Sequence, residues 1–213
     1  MRYPPLLIAV FLTVLLGAFF EHFTSFHVVL LLILFLTAIY AFRHVRPLAT
    51  CLTVLAVISL TAGFAAHHWW LPGLQLVSQG SNFVAMLLVM MAILSEVLRA
   101  RNVSSDLVIG AVCLYFIIGM AWTFLYYSMY LFAPGSFFVS PAAKTVTTIE
   151  AKRSEMLYFS LSALTTIGSS GEEALTVVAR RLAIVESAMG QLYLAVLISR
   201  LVGFSTASDT KRD

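Results

Sequence analysis

Leu157-Tyr158-Phe159-Ser160-Leu161-Ser162-Ala163-Leu164-Thr165-Thr166-Ile167-Gly168 is the stretch on which the fold turns. The apolar run around it, 154–167, is too short to cross a bilayer, which takes about 20 residues of helix. Non-crossing backbone at membrane depth survives only where protein or a water-filled cavity shelters it. The run therefore reads as a re-entrant helix, with Ser154 expected as its cap and Glu155 in its first turn. Entering from the outer face, such a helix points its partly negative C-terminal end at mid-membrane, which favours a cation. Thr165, Thr166, Ile167 and Gly168 then offer hydroxyl and carbonyl oxygens that can replace an ion's water. Gly168 admits the dihedrals needed to aim those carbonyls along one axis. Thr166, Ile167 and Gly168 are the expected cation ligands. One chain supplies one wall, so a closed ring takes several copies.

The rest of the chain is what such a segment needs around it. Of its 213 residues, 61% are hydrophobic and only 11% charged, and mean hydropathy is +0.95. A soluble globule of this size must keep a polar skin, so this composition falls in the membrane class. Six apolar runs are candidates to cross: about 5–20, 26–42, 48–66, 80–98, 107–131 and 177–203. The expected fold is all-α integral membrane, with six transmembrane helices and the re-entrant helix between the fifth and sixth. Arg2 before an apolar core imitates a signal peptide, but Gly17-Ala18-Phe19-Phe20 is a poor cleavage site, and a retained helix is expected.

Lys and Arg in the short connections set the orientation. Arg2, Arg43, Arg46, Arg99, Arg101, Arg200, Lys211 and Arg212 fall on one side; Lys144, Lys152, Arg153, Arg180 and Arg181 on the other. The richer side is expected to be cytoplasmic, in a bacterial inner (plasma) membrane, with both termini there. Loops holding Glu21, His67-His68-Trp69-Trp70 and residues 132–153 are then outside. The net charge of +3, split among these clusters, gives no surface for nucleic acid. Cys51 and Cys113 sit in apolar runs, as buried free thiols, without metal-ligand spacing.

A composition change at Asn102-Val103-Ser104-Ser105-Asp106 divides the chain into a four-helix N-terminal membrane domain (1–101) and a second domain (107–204). A short polar tail (205–213) is expected to be cytoplasmic and leaves no room for a ligand-binding domain. The fourth run, 80–98, lacks the repeated Arg or Lys of a voltage sensor.

The second domain carries Ala179-Arg180-Arg181-Leu182-Ala183, Glu186, Gly190-Gln191-Leu192-Tyr193-Leu194-Ala195-Val196-Leu197 and Arg200-Leu201-Val202-Gly203, preceded by Pro134-Gly135-Ser136-Phe137. With Thr165-Thr166-Ile167-Gly168, these residues resemble the two-helix pore domain of bacterial potassium-channel-like proteins. The resemblance covers about 107–204. It implies a selectivity filter at Thr165, Thr166, Ile167, Gly168, Ser169, Ser170 and Gly171, and an outer mouth at Glu172 and Glu173. Gly190 would be a gating hinge, and Gln191, Leu194 and Ile198 would line a cavity. Glu186 would stand behind the filter as partner of a Ser or Thr on the re-entrant helix. The family's Tyr-Gly-Asp is replaced by Ser169-Ser170-Gly171, which removes the bracing ring and alters the outer carbonyls.

The resemblance thus implies a homotetramer in membrane lipid, without cofactor, passing K+ and possibly Na+ with weakened potassium selectivity. The alternative is a non-conducting homologue that serves as a scaffold or partner subunit. Inverted repeats of a transporter are not visible, and no nucleophile, base and metal cluster falls together as an enzyme requires. Two bland readings complete the survey: His67 and His68 as an unremarkable loop pair, and Glu96 with Arg99 as a local ion pair at a helix end.

Overall fold

The computed structural model describes residues 2–19, 24–69, 72–100, 104–133, 135–139, 149–168 and 172–209. They form α1 (Pro4–Phe19), α2 (Thr24–Ala41), α3 (Arg46–Trp69), α4 (Pro72–Arg99), α5 (Ser105–Phe132), β1 (Phe137–Val139), α6 (Ile149–Leu164), β2 (Glu172–Ala174) and α7 (Val177–Asp209). Four helices are long and apolar enough to cross a membrane, over Arg46–Ala66, Gly73–Arg99, Ser105–Phe132 and Val177–Arg200. α1 and α2 are shorter apolar helices.

Local chemistry starts these helices where they start. Proline occupies the first turn of α1, α3 and α4, at Pro4, Pro47 and Pro72, where its missing N–H costs nothing. Ser104 caps α5 by accepting the Leu107 N–H at 3.2 Å, with Asp106 in the first turn. Hydroxyls along the apolar helices bond back to their own backbone, as Thr13 does to Ala9, Thr61 to Val57 and Thr123 to Gly119. Polar groups without water to pair with must be satisfied in this way.

α5 is the central post. α4, α1, α6 and α7 all pack on it, and α3 and α2 extend the array beyond α4 and α1. The main apolar core joins Tyr3, Leu6, Phe35, Phe42, Met86, Ile93, Leu114 and Ile117. A second cluster, Tyr126, Tyr127, Phe137, Met156, Phe159 and Ala179, fastens the β ribbon and α6 to α5. Its rings meet edge to face, Tyr126 and Phe159 at 5.2 Å and Phe137 and Phe159 at 5.4 Å. β1 and β2 pair antiparallel, Phe137 opposite Ala174 and Val139 opposite Glu172.

Charged residues close one end. Arg2 meets Glu96 at 3.2 Å, His44 lies 3.5 Å from Glu96, and Tyr3 donates to Glu96 at 2.6 Å. The backbone N–H of Arg2 donates to Asp106 at 2.7 Å. Arg200 of α7 donates to the carbonyls of Val97 and Leu98 at the end of α4, where a cation suits the helix's negative end. The start of α1, the ends of α2 and α4, the start of α5 and the late part of α7 thus lie together.

Several sequence expectations are corrected here. α4 begins at Pro72 rather than near 80. Its polar opening residues Gln75, Ser78 and Gln79 weaken the apolar signal, yet they are buried. His67, His68 and Trp69 are the last turn of α3 rather than a loop, and His68 stacks parallel to Phe64 one turn away. Glu96 pairs with Arg2 from the far N-terminus, not with Arg99. Cys113 is buried, but Cys51 is exposed on α3. α7 continues through 205–209, so that part of the expected tail is helical. Glu21, Trp70, Arg101, Lys144, Lys211 and Arg212 lie outside the described residues.

Candidate functional site

The site is built from the end of α6, where α5 and α7 hold it on two sides. α6 has 16 residues, about 24 Å at 1.5 Å per residue, short of the roughly 30 Å of a bilayer core. It starts at Ile149, so Ser154 lies in its second turn and is not its cap. Ser154 instead lines a small cavity of about 50 Å³ with Thr13, Thr123 and Arg153.

Glu186 holds the C-terminal half of α6. It is fully buried. Ser160 Oγ lies 2.5 Å from its Oε1, and Tyr126 donates to its Oε2 at 2.7 Å. The same Ser160 oxygen lies 2.7 Å from the Gly119 carbonyl on α5. One carboxylate on α7 therefore joins α5 and α6 through hydroxyls. Ser187, the next residue, reaches the Ala163 carbonyl at 2.7 Å. These contacts make Glu186 a partner for a serine of α6, as anticipated, and add Tyr126, which nothing in the spacing had indicated.

Gly190 is explained by contact. A side chain there would strike the carbonyl oxygen of Leu164, the last residue of α6, with Leu164 Cδ1 at 3.0 Å. Its lack of a Cβ lets α7 lie directly on the end of α6. Gly119 does the same on the α5 side, where a Cβ would sit 2.6 Å from Leu161 Cδ2.

The helix stops through a Schellman motif. The Ile167 N–H donates to the Ser162 carbonyl at 3.0 Å, and the Thr166 N–H to Ala163 at 3.0 Å. The motif takes a left-handed residue just past the helix, usually glycine. Here it is Thr166, at φ 60°, a conformation that costs a non-glycine residue about 1–2 kcal/mol. Gly168 follows at φ 82°. The last carbonyls of α6 are engaged: Leu161 by Thr165, Ser162 and Ala163 by the motif, and Leu164 by the Tyr115 hydroxyl at 3.3 Å.

The segment after α6 is bare in one chain. Thr166, Ile167 and Gly168 are exposed, Ile167 at 81%. Gln191 of α7 brings its Nε2 within 3.5 Å of Thr166 Oγ1, so the expected cavity residue and the expected filter residue meet. Ile198 is exposed further along α7, and Leu194 is half-buried. Ser169, Ser170 and Gly171 lie outside the described residues. Glu172 and Glu173, the expected outer mouth, are on β2, with Glu173 exposed. Arg180 donates to the Ala174 carbonyl at 2.9 Å, which ties the ribbon to α7.

Fold and site together define a helical protein with four membrane-length helices and a short helix held by its end between two of them. Comparison with protein-family models, curated proteins and solved structures finds no match for this chain.

Proposed function

We propose that the chain is one subunit of a homotetrameric cation channel, potassium-channel-like in plan, with an altered filter that discriminates weakly between K+ and Na+. The observation that carries this reading is the end of α6. A helix too short to cross is fixed by Glu186 and stopped by a Schellman motif, leaving Thr166–Gly168 exposed beside Gln191. Residues exposed in this way can turn carbonyl and hydroxyl oxygens toward an ion that sheds its water. α7 supports the need for neighbours: Ile184, Val185, Leu192, Val196 and Ile198 are all exposed in a single chain.

The reading includes six crossings, with α1 and α2 as the first two, and both termini in the cytoplasm. Its support is the meeting of Arg2 and His44, 3.0 Å apart, at the end where α4 finishes and α5 starts. The α1–α2 hairpin leaves from that end and returns to it. The same end collects the arginines that mark a cytoplasmic face.

Purified protein in liposomes should carry K+ and Na+ flux, and bi-ionic reversal potentials should lie close together. Ser169→Tyr, Ser170→Gly and Gly171→Asp together should shift the reversal potential toward K+. Strong potassium selectivity of the unmodified protein would refute this account of the filter. Absence of current from both versions would assign the chain to a non-conducting role.

A further inference from the structure

A groove at the arginine-rich end is not used by the candidate pore. It has a volume of about 780 Å³ and is walled by Phe42, Leu48, Leu88 and Met91, with Ser95 and Arg99 at its charged end. That size falls among sites that hold drug-sized ligands. The walls come from α3, from α4, from Leu107 of α5 and from Phe42 and Val45 just past α2, and Met91 is 59% exposed, so the groove opens sideways from the bundle. Its chemistry is graded along α4. Leu88 and Met91 lie about two or three turns before the helix end, and Arg99 lies in the last turn.

The charge at the mouth is positive and uncommitted. Glu96, the groove's one acid, is engaged by Arg2, His44 and Tyr3. Among the described residues no carboxylate lies within ion-pair distance of Arg99. Arg46, at the start of α3 and next in sequence to the lining residue Val45, is exposed. A ligand that fits must have an apolar tail directed along α4 toward mid-membrane and an anionic head at the helix end.

We infer that this groove binds one phospholipid with a net anionic headgroup, its phosphate on Arg99 and one acyl chain against Leu48, Leu88 and Met91. A basic pocket between membrane helices on the cytoplasmic side is a recurring way to recognise such lipids. The inference rests on the helices crossing a membrane and not on ion conduction, so a flux measurement leaves it untouched.

Native mass spectrometry of the full chain, released from micelles holding equal phosphatidylglycerol and phosphatidylcholine, tests it. The protein should retain phosphatidylglycerol over phosphatidylcholine. Arg99→Ala should weaken that preference about fivefold, the scale of one arginine at an anionic surface. Met91→Trp, which fills the groove and leaves the charge, should lower retention of both lipids. Arg43→Ala, whose guanidinium lies over the Tyr40 ring at 4.9 Å, should change little and controls for bulk charge. Equal retention of the two lipids, or an unchanged preference in Arg99→Ala, would overturn the assignment. So would Met91→Cys crosslinks between protomers in a Cys51→Ala background without lipid preference, which would give the groove to a second copy of the chain.

Discussion

Glu96 and Glu186 sit on helices of the two halves and are held in opposite ways. Glu96 lies at the charged end, its side chain 27% exposed, among Arg2, His44 and Tyr3. Glu186 is sealed inside, and among the described residues it meets the hydroxyls of Tyr126 and Ser160. The first carboxylate gains Coulomb attraction that water and salt weaken. The second has no such screening, and its removal leaves buried donors without an acceptor. The difference shows where each half keeps its specificity: at the rim in the four-helix half, and in the interior where α5, α6 and α7 meet.

Substitutions at these positions should separate the two regimes. Glu186→Ala should destabilise the protein most, by about 3 kcal/mol, because it strands the Tyr126 hydroxyl and leaves a void. Glu186→Gln, which keeps one acceptor, should lose about 1 kcal/mol. Thermal unfolding in detergent would measure both, and equal losses would mean the hydrogen bonds are not what Glu186 supplies.

Gly190→Ala should cost about 2 kcal/mol, since its methyl would press on the Leu164 carbonyl, a backbone atom that α6 cannot move alone. Gly80→Ala in α4 meets nothing within 4 Å and should gain about 0.5–1 kcal/mol from helix propensity. Similar effects for both glycines in the same unfolding assay would remove the close-contact explanation of Gly190.

Thr166→Gly should relieve the left-handed strain and gain about 0.5–1 kcal/mol. It also deletes the hydroxyl beside Gln191, so liposome flux should fall while stability rises. A parallel fall in both quantities would place Thr166 among ordinary packing residues. Glu96→Gln should have the smallest effect, about 0.5 kcal/mol, and the loss should shrink as salt is raised. A salt-independent loss as large as that of Glu186→Ala would erase the contrast between the halves.

Much of the helical layout was legible in the apolar runs, because helices in a membrane must be continuous and apolar. The start of α4 was not. Gln75, Ser78 and Gln79 lower the hydropathy there, yet they are buried against neighbouring helices, and periodicity does not disclose that. The shortness of α6 was readable from its apolar run, although the helix spans 149–164 rather than 154–167, and Glu186 stood out by its isolation in an apolar helix. Tyr126 was hidden because its role depends on where α5 crosses α7. Thr166 was hidden for another reason: a Schellman position normally announces itself by glycine, and threonine gives no such mark. Glu96 misled because a partner three residues away is visible in sequence and one at the opposite end of the half is not.

Among the described residues, Tyr126, Gly119, Glu186, Ser187 and the Gly190 contact fasten α6 within one chain, with Ser160 as its own anchoring hydroxyl. A single polypeptide can therefore seat this short helix without a contact from another copy. On the proposed channel reading, the seating of α6 and the closure of a ring are separate stages of biogenesis, and only the second depends on concentration. Diluting the protein in detergent to the monomer should leave amide protection along 156–164 intact, whereas a segment that borrowed its restraints from another copy would lose protection on dilution.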